Sequence, residues 1–271
     1  MRFTVVSYNV LADSYIKVDR YPNTAPEHLD RTWRQPQVLG RVNQLNADVI
    51  CLQEVEPEAF ANFEGHLQKH GYEGHFAQKQ GGRPDGSATF VREKLFTVRT
   101  GFTLNFQDSR GDEPVSGHLA LIVVLECEIG LLGVVNTHLR WDPPGTPRDA
   151  QWGYAQAEEI VRHQKVVGTS CEAWILCGDF NARPDSDVTR LLLGSGFQDA
   201  YARVQDGWTC NPNGETKRID FLLHTSGLQA EPLLLPEITG ETPLPSADEP
   251  SDHLPIAATF ETVSSSTDTE E

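Results

Sequence analysis

The chain has 271 residues, of which 38% are hydrophobic and 23% charged, which is typical of a soluble globular protein. A chain of this length can bury a core large enough to fold without disulfides or a structural metal. Its formal net charge of −17 disfavours an extended duplex-binding surface or an anionic membrane as partner, because both are polyanions.

Short apolar or alternating runs, separated by turn residues, predict ten strands. In chain order these are residues 3–8, 48–53, 74–78, 87–91, 96–104, 118–126, 133–137, 174–177, 219–223 and 256–261. Four segments between them carry apolar residues at helical spacing. These predicted helices are residues 31–45, 57–70, 151–167 and 186–193.

The mixture of many strands with four helices predicts an α/β fold in which two packed sheets are flanked by helices. The continuous apolar runs at 49–52 and 175–177 are typical of strands covered on both faces. We expect residues 1–261 to form a single domain. The polar, acidic residues 262–271 are expected to form a disordered tail.

The sequence also indicates a cellular location. No stretch approaches the roughly 20 apolar residues that span a bilayer, and the first residues lack the features of a secretory signal. The five cysteines are odd in number and include no C-x-x-C pair, which favours reduced thiols. We therefore expect a cytoplasmic protein without membrane contact.

Carboxylate, amide and imidazole side chains follow the apolar strands where these strands end. Loops beyond sheet edges converge and form sites, and oxygen donors suit a hard cation such as Mg²⁺ or Mn²⁺. Each residue alone is more readily explained as a turn residue, a helix cap or a structural histidine. The prediction therefore depends on the whole set, which is Asn9, Glu54, His138, Asp179, Asn181, Asp220, Asp252 and His253.

Six motifs that contain these residues occur in order along the chain. They are S-Y-N-V-L-A-D (7–13), A-D-V-I-C-L-Q-E-V (47–55), N-T-H-L (136–139), G-D-F-N (178–181), R-I-D-F (218–221) and S-D-H-L-P (251–255). Together they resemble the endonuclease/exonuclease/phosphatase superfamily, from residue 3 to about residue 261. D-G-S-A-T-F (85–90) and L-R-W-D-P (139–143) are similar to its deadenylase, nocturnin and Angel branch. The resemblance implies a DNase I-like, four-layer α/β/β/α sandwich of two mixed sheets flanked by helices.

The resemblance also implies roles around a bound Mg²⁺ or Mn²⁺ ion. Glu54 would be the principal metal ligand, supported by Asn9, and Asp252 would lie in the metal shell. Asp179 would orient or deprotonate the attacking water. Asn181 would hold that water or the phosphate.

Two histidines are implied to contact the phosphate. His138 would bind the scissile phosphate and its developing charge. His253 would contact a phosphate oxygen, with Asp220 holding its imidazole in one tautomer. Such positive, oriented groups are what a phosphoryl-transfer transition state requires, because charge develops on its oxygens.

Three further residues are candidates for substrate binding by the same resemblance. Lys79 and Arg140 would contact substrate phosphate, although each is equally well explained as a solvated surface charge. Pro143 matches a proline that flanks the adenine in deadenylases. The aromatic residue expected shortly before Asp220 is absent, since residues 213–217 read N-G-E-T-K. Base stacking would then need another side chain, and Trp141 and Trp208 are the candidates.

The sequence thus predicts hydrolysis of a phosphodiester bond by a metal-activated water, most naturally at the 3′ end of a short RNA or oligonucleotide. One alternative is a phosphatase of a nucleotide or another small phosphate ester, with a 2′-phosphate or a 2′,3′-cyclic phosphate as substrate. Another is a non-catalytic binding module on the same fold, which the complete set of competent residues argues against. We expect a monomer.

Overall fold

The computed structural model describes residues 1–110, 113–167, 170–204 and 207–263. Within these residues the chain forms strands β1 (Arg2–Asn9), β2 (Val49–Val55), β3 (Tyr72–Gln78), β4 (Gly86–Arg92), β5 (Thr97–Asn105), β6 (Leu119–Cys127), β7 (Gly130–His138), β8 (Ala173–Asp179), β9 (Gln198–Asp199), β10 (Asp220–His224), β11 (Leu228–Pro232) and β12 (Ile256–Thr262). The α-helices are α1 (Arg31–Leu45), α2 (Pro57–Leu67), α3 (Trp152–Val167) and α4 (Asp187–Gly194).

The strands form two mixed sheets of six strands each. The first sheet has the order β11-β12-β1-β2-β4-β3, and the second has the order β5-β6-β7-β8-β10-β9. Each sheet contains one parallel pair, β1 with β2 and β7 with β8. A parallel pair needs a long crossover, and α1 and α3 provide these two connections.

Three apolar layers hold the sheets and helices together. Between the sheets, Val5 and Cys51 of the first sheet share one cluster with Val134 and Ile175 of the second. Val38 of α1 and Phe63 of α2 pack on the outer face of the first sheet. Ile160 of α3 and Leu192 of α4 cover the second sheet in the same way. The predicted four-layer α/β/β/α sandwich is therefore confirmed.

Strand periodicity directs polar residues into the space between the sheets at one end of the sandwich. Successive side chains of a strand point to opposite faces. Because Val5 faces the second sheet, Asn9 at the end of β1 does so too. Ile175 and Cys177 face the first sheet, and so does Asp179 at the end of β8. The same period brings His138 of β7 and Asp220 of β10 to this inner face.

All ten predicted strands and four predicted helices are present, with ends shifted by a few residues. Two strands were missed. β9 has only two residues, and β11 (L-Q-A-E-P) carries mostly exposed or half-buried side chains. β12 extends to Thr262, the first residue of the predicted tail, and residues 264–271 lie outside the described residues. Among the described helices, none combines the length and apolar character that a membrane crossing requires.

A buried amide joins the two sheets directly beneath this polar end. The Asn136 side chain, on β7, donates to the carbonyls of Leu52 (3.1 Å) and Ala88 (2.8 Å) in the first sheet. Its Oδ1 accepts from Gln53 Nε2 at 2.8 Å. Asn136 and Gln53 are fully buried. Since buried polar groups are costly when unpaired, this contact fixes how the sheets meet two residues before His138.

We expect Asn136→Leu to lower the free energy of unfolding by about 2 kcal/mol or more, because Gln53 and two strand carbonyls lose their partner. Urea denaturation measures the change. Asn43→Leu on the exposed side of α1 is the matched control and should stay within about 0.5 kcal/mol of wild type. Equal stabilities of the two variants would contradict the role given to Asn136.

Candidate active site

The Asn9 amide links acidic residues of both sheets. Its Nδ2 donates to Glu54 Oε1 and to Asp179 Oδ2, each at 3.0 Å. Its Oδ1 accepts from the Leu11 backbone N–H at 3.0 Å, which fixes the orientation of the amide. One neutral side chain therefore holds the buried carboxylate of Asp179 beside the partly exposed carboxylate of Glu54 from the other sheet.

Glu54 reaches this position through an irregularity in β2. Strict alternation would turn Glu54 outward with Ile50 and Leu52, towards the helices. The pairing with β4 shifts register between Gln53 and Val55, and Glu54 has a φ of 57°. A bulge of this kind re-aims a side chain. The Ala12 backbone N–H then donates to Glu54 Oε2 at 2.9 Å.

The end of β8 is shaped by a glycine and a strained asparagine. Gly178 has a φ of 142°, and a Cβ there would lie 1.7 Å from the Thr137 carbonyl oxygen. Only glycine allows β8 to approach β7 this closely. Asn181 has a φ of 50°, its N–H donates to Asp179 Oδ1 at 2.9 Å, and its Nδ2 donates to the Leu139 carbonyl at 2.9 Å.

His138 lies between two hydrogen-bond donors. Lys79 Nζ is 3.2 Å from its Nδ1, and Asn181 Nδ2 is 2.9 Å from its Nε2. Burial and the charge of Lys79 hold the pKa of His138 well below its usual value, so the ring is neutral. A neutral imidazole has one lone pair and accepts at only one nitrogen. This point therefore has more donors than acceptors.

Lys79 is not a solvated surface charge. Its side chain is buried, and its ammonium group pairs with the buried carboxylate of Asp85 at 2.7 Å. Tyr15 donates to the other oxygen of Asp85 at 2.6 Å. The ion pair thus holds the ammonium group against His138 inside the site.

His253 and Asp220 form a buried hydrogen-bonded pair. His253 Nδ1 lies 2.9 and 3.1 Å from the two Asp220 oxygens, and its Nε2 lies 3.8 Å from Asp179 Oδ2. Burial opposes the charge of the ring, but the Asp220 carboxylate outweighs this effect, aided by Asp252 and Asp179. The pKa of His253 therefore lies well above its usual value, and the ring is cationic at neutral pH.

Negative charge is concentrated beside the two histidines. Burial, with the nearby charges of Asp252 and Asp85, raises the pKa of Glu54. Burial and the Asp220 charge raise the pKa of Asp179 to about 7. Asp252 accepts from the Tyr21 hydroxyl at 3.2 Å.

The donor set fits a divalent cation. Glu54, His138 and Asp179 each place a ligand atom within 4.8 Å of the others. The like charges that raise the pKa of Glu54 would be relieved by a cation. Cys210, Asp220 and His253 form a second group of similar size. Burial raises the pKa of the Cys210 thiol, so this sulfur is a weaker candidate ligand.

A cleft of about 740 Å³ opens beside Asn181. Arg140 and Pro143 both line it, as does the exposed Trp141, whereas Trp208 is not among its lining residues. The Arg140 guanidinium stacks on the Trp152 ring at 4.0 Å. Four basic and three acidic side chains line the cleft, which makes it less acidic than the chain as a whole: Arg20, Arg140, Arg183, Lys217, Asp142, Asp185 and Glu215.

The structure thus brings all eight predicted strand-end residues, and Lys79, to one end of the sandwich. It adds three residues that sequence reasoning missed as parts of the site. Asp85 belongs to a motif quoted above, and its spacing from Lys79 offered a signal. Tyr21 and His118, which lie near Asp252 and His138 respectively, belong to no pattern that marks them.

Comparison with known sequences agrees with this arrangement. Residues 6–253 match the family model described as "Endonuclease/Exonuclease/phosphatase family". The human protein "2′,5′-phosphodiesterase 12" is 27% identical over 93% of this chain and 50% of its own length. The Arabidopsis thaliana protein "Carbon catabolite repressor protein 4 homolog 1" is 30% identical over 70% of this chain and 37% of its own length. The chain thus spans about half the length of the first of these relatives and less of the second.

Solved structures share the fold. The crystal structure of ANGEL2, a 2′,3′-cyclic phosphatase, in complex with adenosine-2′,3′-vanadate superposes with a TM-score of 0.81 at 21% identity, covering 96% of this chain and 95% of that one. The human Nocturnin catalytic domain with bound sulfate superposes with a TM-score of 0.74 at 21% identity, covering 97% and 94%. Together with the sequence relatives, this shared fold confirms the resemblance to the deadenylase, nocturnin and Angel branch. The chain belongs to the endonuclease/exonuclease/phosphatase family.

Proposed function

We propose that the chain is a divalent-metal-dependent phosphodiesterase that removes nucleotides from the 3′ end of short RNA. The observation that carries this proposal is the surplus of donors at His138, where Lys79 and Asn181 both point at a neutral ring. Such a surplus is matched by a ligand that only accepts hydrogen bonds, and phosphoryl oxygens are of that kind. The carboxylates of Glu54 and Asp179 lie directly beside this point.

Glu54 would hold the cation, with Asp252 nearby and Asn9 fixing the Glu54 carboxylate beside Asp179. A bound Mg²⁺ or Mn²⁺ supplies positive charge where the phosphoryl oxygens become more negative. Carboxylate oxygens suit these hard ions better than they suit softer metals. We propose that the bound ion is either Mg²⁺ or Mn²⁺.

Asp179 is the candidate for receiving the proton of the attacking water. A general base works best when its pKa is close to the working pH, and burial with the Asp220 charge brings the pKa of Asp179 to about 7. Asn181, whose own N–H donates to Asp179 Oδ1, would orient the water or the phosphate beside it.

His138, Lys79 and His253 would stabilise the phosphoryl group. His253 is cationic and offers its Nε2 hydrogen on the side of Asp179, 3.8 Å away. Asp220 fixes the tautomer and orientation of the ring, as acidic partners of catalytic histidines do. Preorganised donors of this kind stabilise a transition state more than a ground state, because its oxygens carry more charge.

The cleft beside Asn181 would bind the nucleotide. Its volume of about 740 Å³ lies within the range of ligand pockets. Arg140 would contact a backbone phosphate, and Pro143 and Trp141 would flank a base. A phosphodiester is favoured over a monoester because several of the most similar curated sequences carry the name 2′,5′-phosphodiesterase. A phosphatase of a 2′-phosphate or a 2′,3′-cyclic phosphate is the second candidate.

We further propose a monomer in the cytoplasm. All five cysteines are free thiols in the structure, which supports a reducing compartment. The net charge of −17 supports short RNA rather than long duplexes as partner.

A product analysis tests the proposed reaction. The protein is incubated with Mg²⁺ or Mn²⁺ and one of three substrates: a 5′-labelled short RNA, the same RNA ending in a 2′,3′-cyclic phosphate, or a 2′-phosphorylated nucleotide. We expect stepwise shortening of the first substrate. Free phosphate or an opened cycle without shortening would instead support the phosphatase. No product from any of them would support a binding module.

The Glu54→Gln variant should lose at least about 100-fold in activity, because it removes the charge proposed to hold the cation. It should also unfold at a higher temperature than wild type without added metal, since burial and nearby carboxylates disfavour the charged Glu54. Thermal melts should show stabilisation by Mn²⁺ for wild type and little for the variant. Glu58→Gln on the surface of α2 is the control and should behave as wild type. Full activity of Glu54→Gln would refute the assignment.

The Asp220→Asn variant should lower kcat by about 10²- to 10⁴-fold while KM changes little, because an amide stabilises the wrong tautomer of His253. Steady-state kinetics on the short RNA measure both constants. His253→Gln should cost a similar factor, and the double variant should be no worse than the poorer single variant. Multiplying losses in the double variant would show that the two residues act independently.

A further inference from the structure

His118, the residue just before β6, is hydrogen-bonded to a series of buried polar side chains. His118 Nδ1 lies 3.1 Å from Ser116 Oγ, which lies 2.6 Å from Asp108 Oδ2. Gln156 of α3 contacts both, at 2.6 Å from Asp108 Oδ2 and 3.0 Å from Ser116 Oγ. All four residues are buried. None of them has a part in the mechanism proposed above.

The chemistry of these side chains shows which atom donates the hydrogen in each contact. An ionised Asp108 only accepts, so the short contact from Ser116 uses the hydroxyl hydrogen. Ser116 Oγ has then no hydrogen left for the imidazole and must accept from it. The Nδ1 of His118 therefore carries the hydrogen, and in the neutral ring the lone pair is on Nε2.

Burial, with the positive charges of Lys79, Arg83 and Arg140, lowers the pKa of His118 to about 2, which is consistent with a neutral ring. Among the described residues, no group forms a hydrogen bond with His118 Nε2. This nitrogen is also not fully buried. It is thus an open acceptor.

His118 lies beside the groups that would bind the scissile phosphate. Its ring is edge-on to the ring of His138, with the centroids 6.2 Å apart. Around this spot Lys79, Asn181 and His138 present donors, whereas His118 presents a lone pair. A phosphate oxygen cannot satisfy that lone pair, because both atoms only accept. The ligand of His118 must carry a hydrogen.

The sugar whose hydroxyl is esterified at the scissile phosphate has a single donor close to that phosphate, the free ribose hydroxyl on the carbon next to the esterified one. In a 3′,5′-linked chain this is the 2′-hydroxyl, which DNA lacks. We propose that His118 accepts a hydrogen bond from this hydroxyl and thereby selects ribose over deoxyribose at the scissile position. The inference rests on the proposed phosphodiesterase function and names the sugar that it requires.

The test compares three short oligonucleotides that differ only in one 2′ substituent, which is hydroxyl, hydrogen or fluorine. The modified nucleotide is the one whose 3′ oxygen is esterified at the scissile phosphate. Fluorine resembles the hydroxyl in size but donates nothing. Wild type should show a kcat/KM about tenfold lower or more for the hydrogen and fluorine substrates, because Nε2 is then left unpaired. His118→Phe keeps a ring of similar size without an acceptor and should process all three within about threefold of each other.

Two further variants separate recognition from structure. Ser116→Ala removes the group that fixes the tautomer of His118. It should reduce the preference for the 2′-hydroxyl substrate while leaving cleavage of the hydrogen substrate unchanged. His163→Phe, on α3 away from the site, should retain the wild-type preference. If His118→Phe slows all three substrates equally, or keeps the preference, the inference is wrong. Equal rates of wild type on all three would also overturn it. Cleavage of none by wild type would overturn the proposed function and this inference with it.

Discussion

The site depends on the concentration of buried carboxylates where the two sheets meet. Glu54, Asp179 and Asp220 come from different strands, and uncompensated charges in such surroundings are expensive. The structure offsets this cost by giving each carboxylate a donor held by its own contacts. Asn9 serves Glu54 and Asp179, and His253 serves Asp220. The elevated pKa values of Glu54 and Asp179 show that the compensation is incomplete, which is what a binding site for a cation requires.

Two residues of the site have a backbone conformation that non-glycine residues rarely adopt. Glu54 and Asn181 both have positive φ values, a conformation that costs non-glycine residues free energy. At each position a side-chain hydrogen bond stabilises the strained conformation. The Ala12 N–H donates to Glu54, and Asn181 donates to the Leu139 carbonyl. Regular β2 geometry would have aimed Glu54 at the helices instead. At these two positions the fold specifies the site against local backbone preference.

Sequence alone could predict much of this, for physical reasons that differ between residues. Apolar runs end at Asn9 and Asp179, so period-2 alternation and ordered motifs placed these residues together. The direction of Glu54 could not be predicted, because a bulge has no signature in its own residues. The burial of Lys79 depends on a partner, Asp85, that only the folded hairpin brings close. His118 matters through a relay of groups that lie apart in sequence, and no spacing marks it.

The pairing of β12 with β1 has a consequence for synthesis on the ribosome. Arg2 lies opposite Glu261, so the start of β1 pairs with the last described strand of the chain. The loop just before β12 provides His253, and Ser251 Oγ donates to the Asn9 carbonyl at 2.7 Å. Long-range pairing of this kind forms late. A nascent polypeptide therefore cannot assemble this end of the sandwich until translation has passed β12.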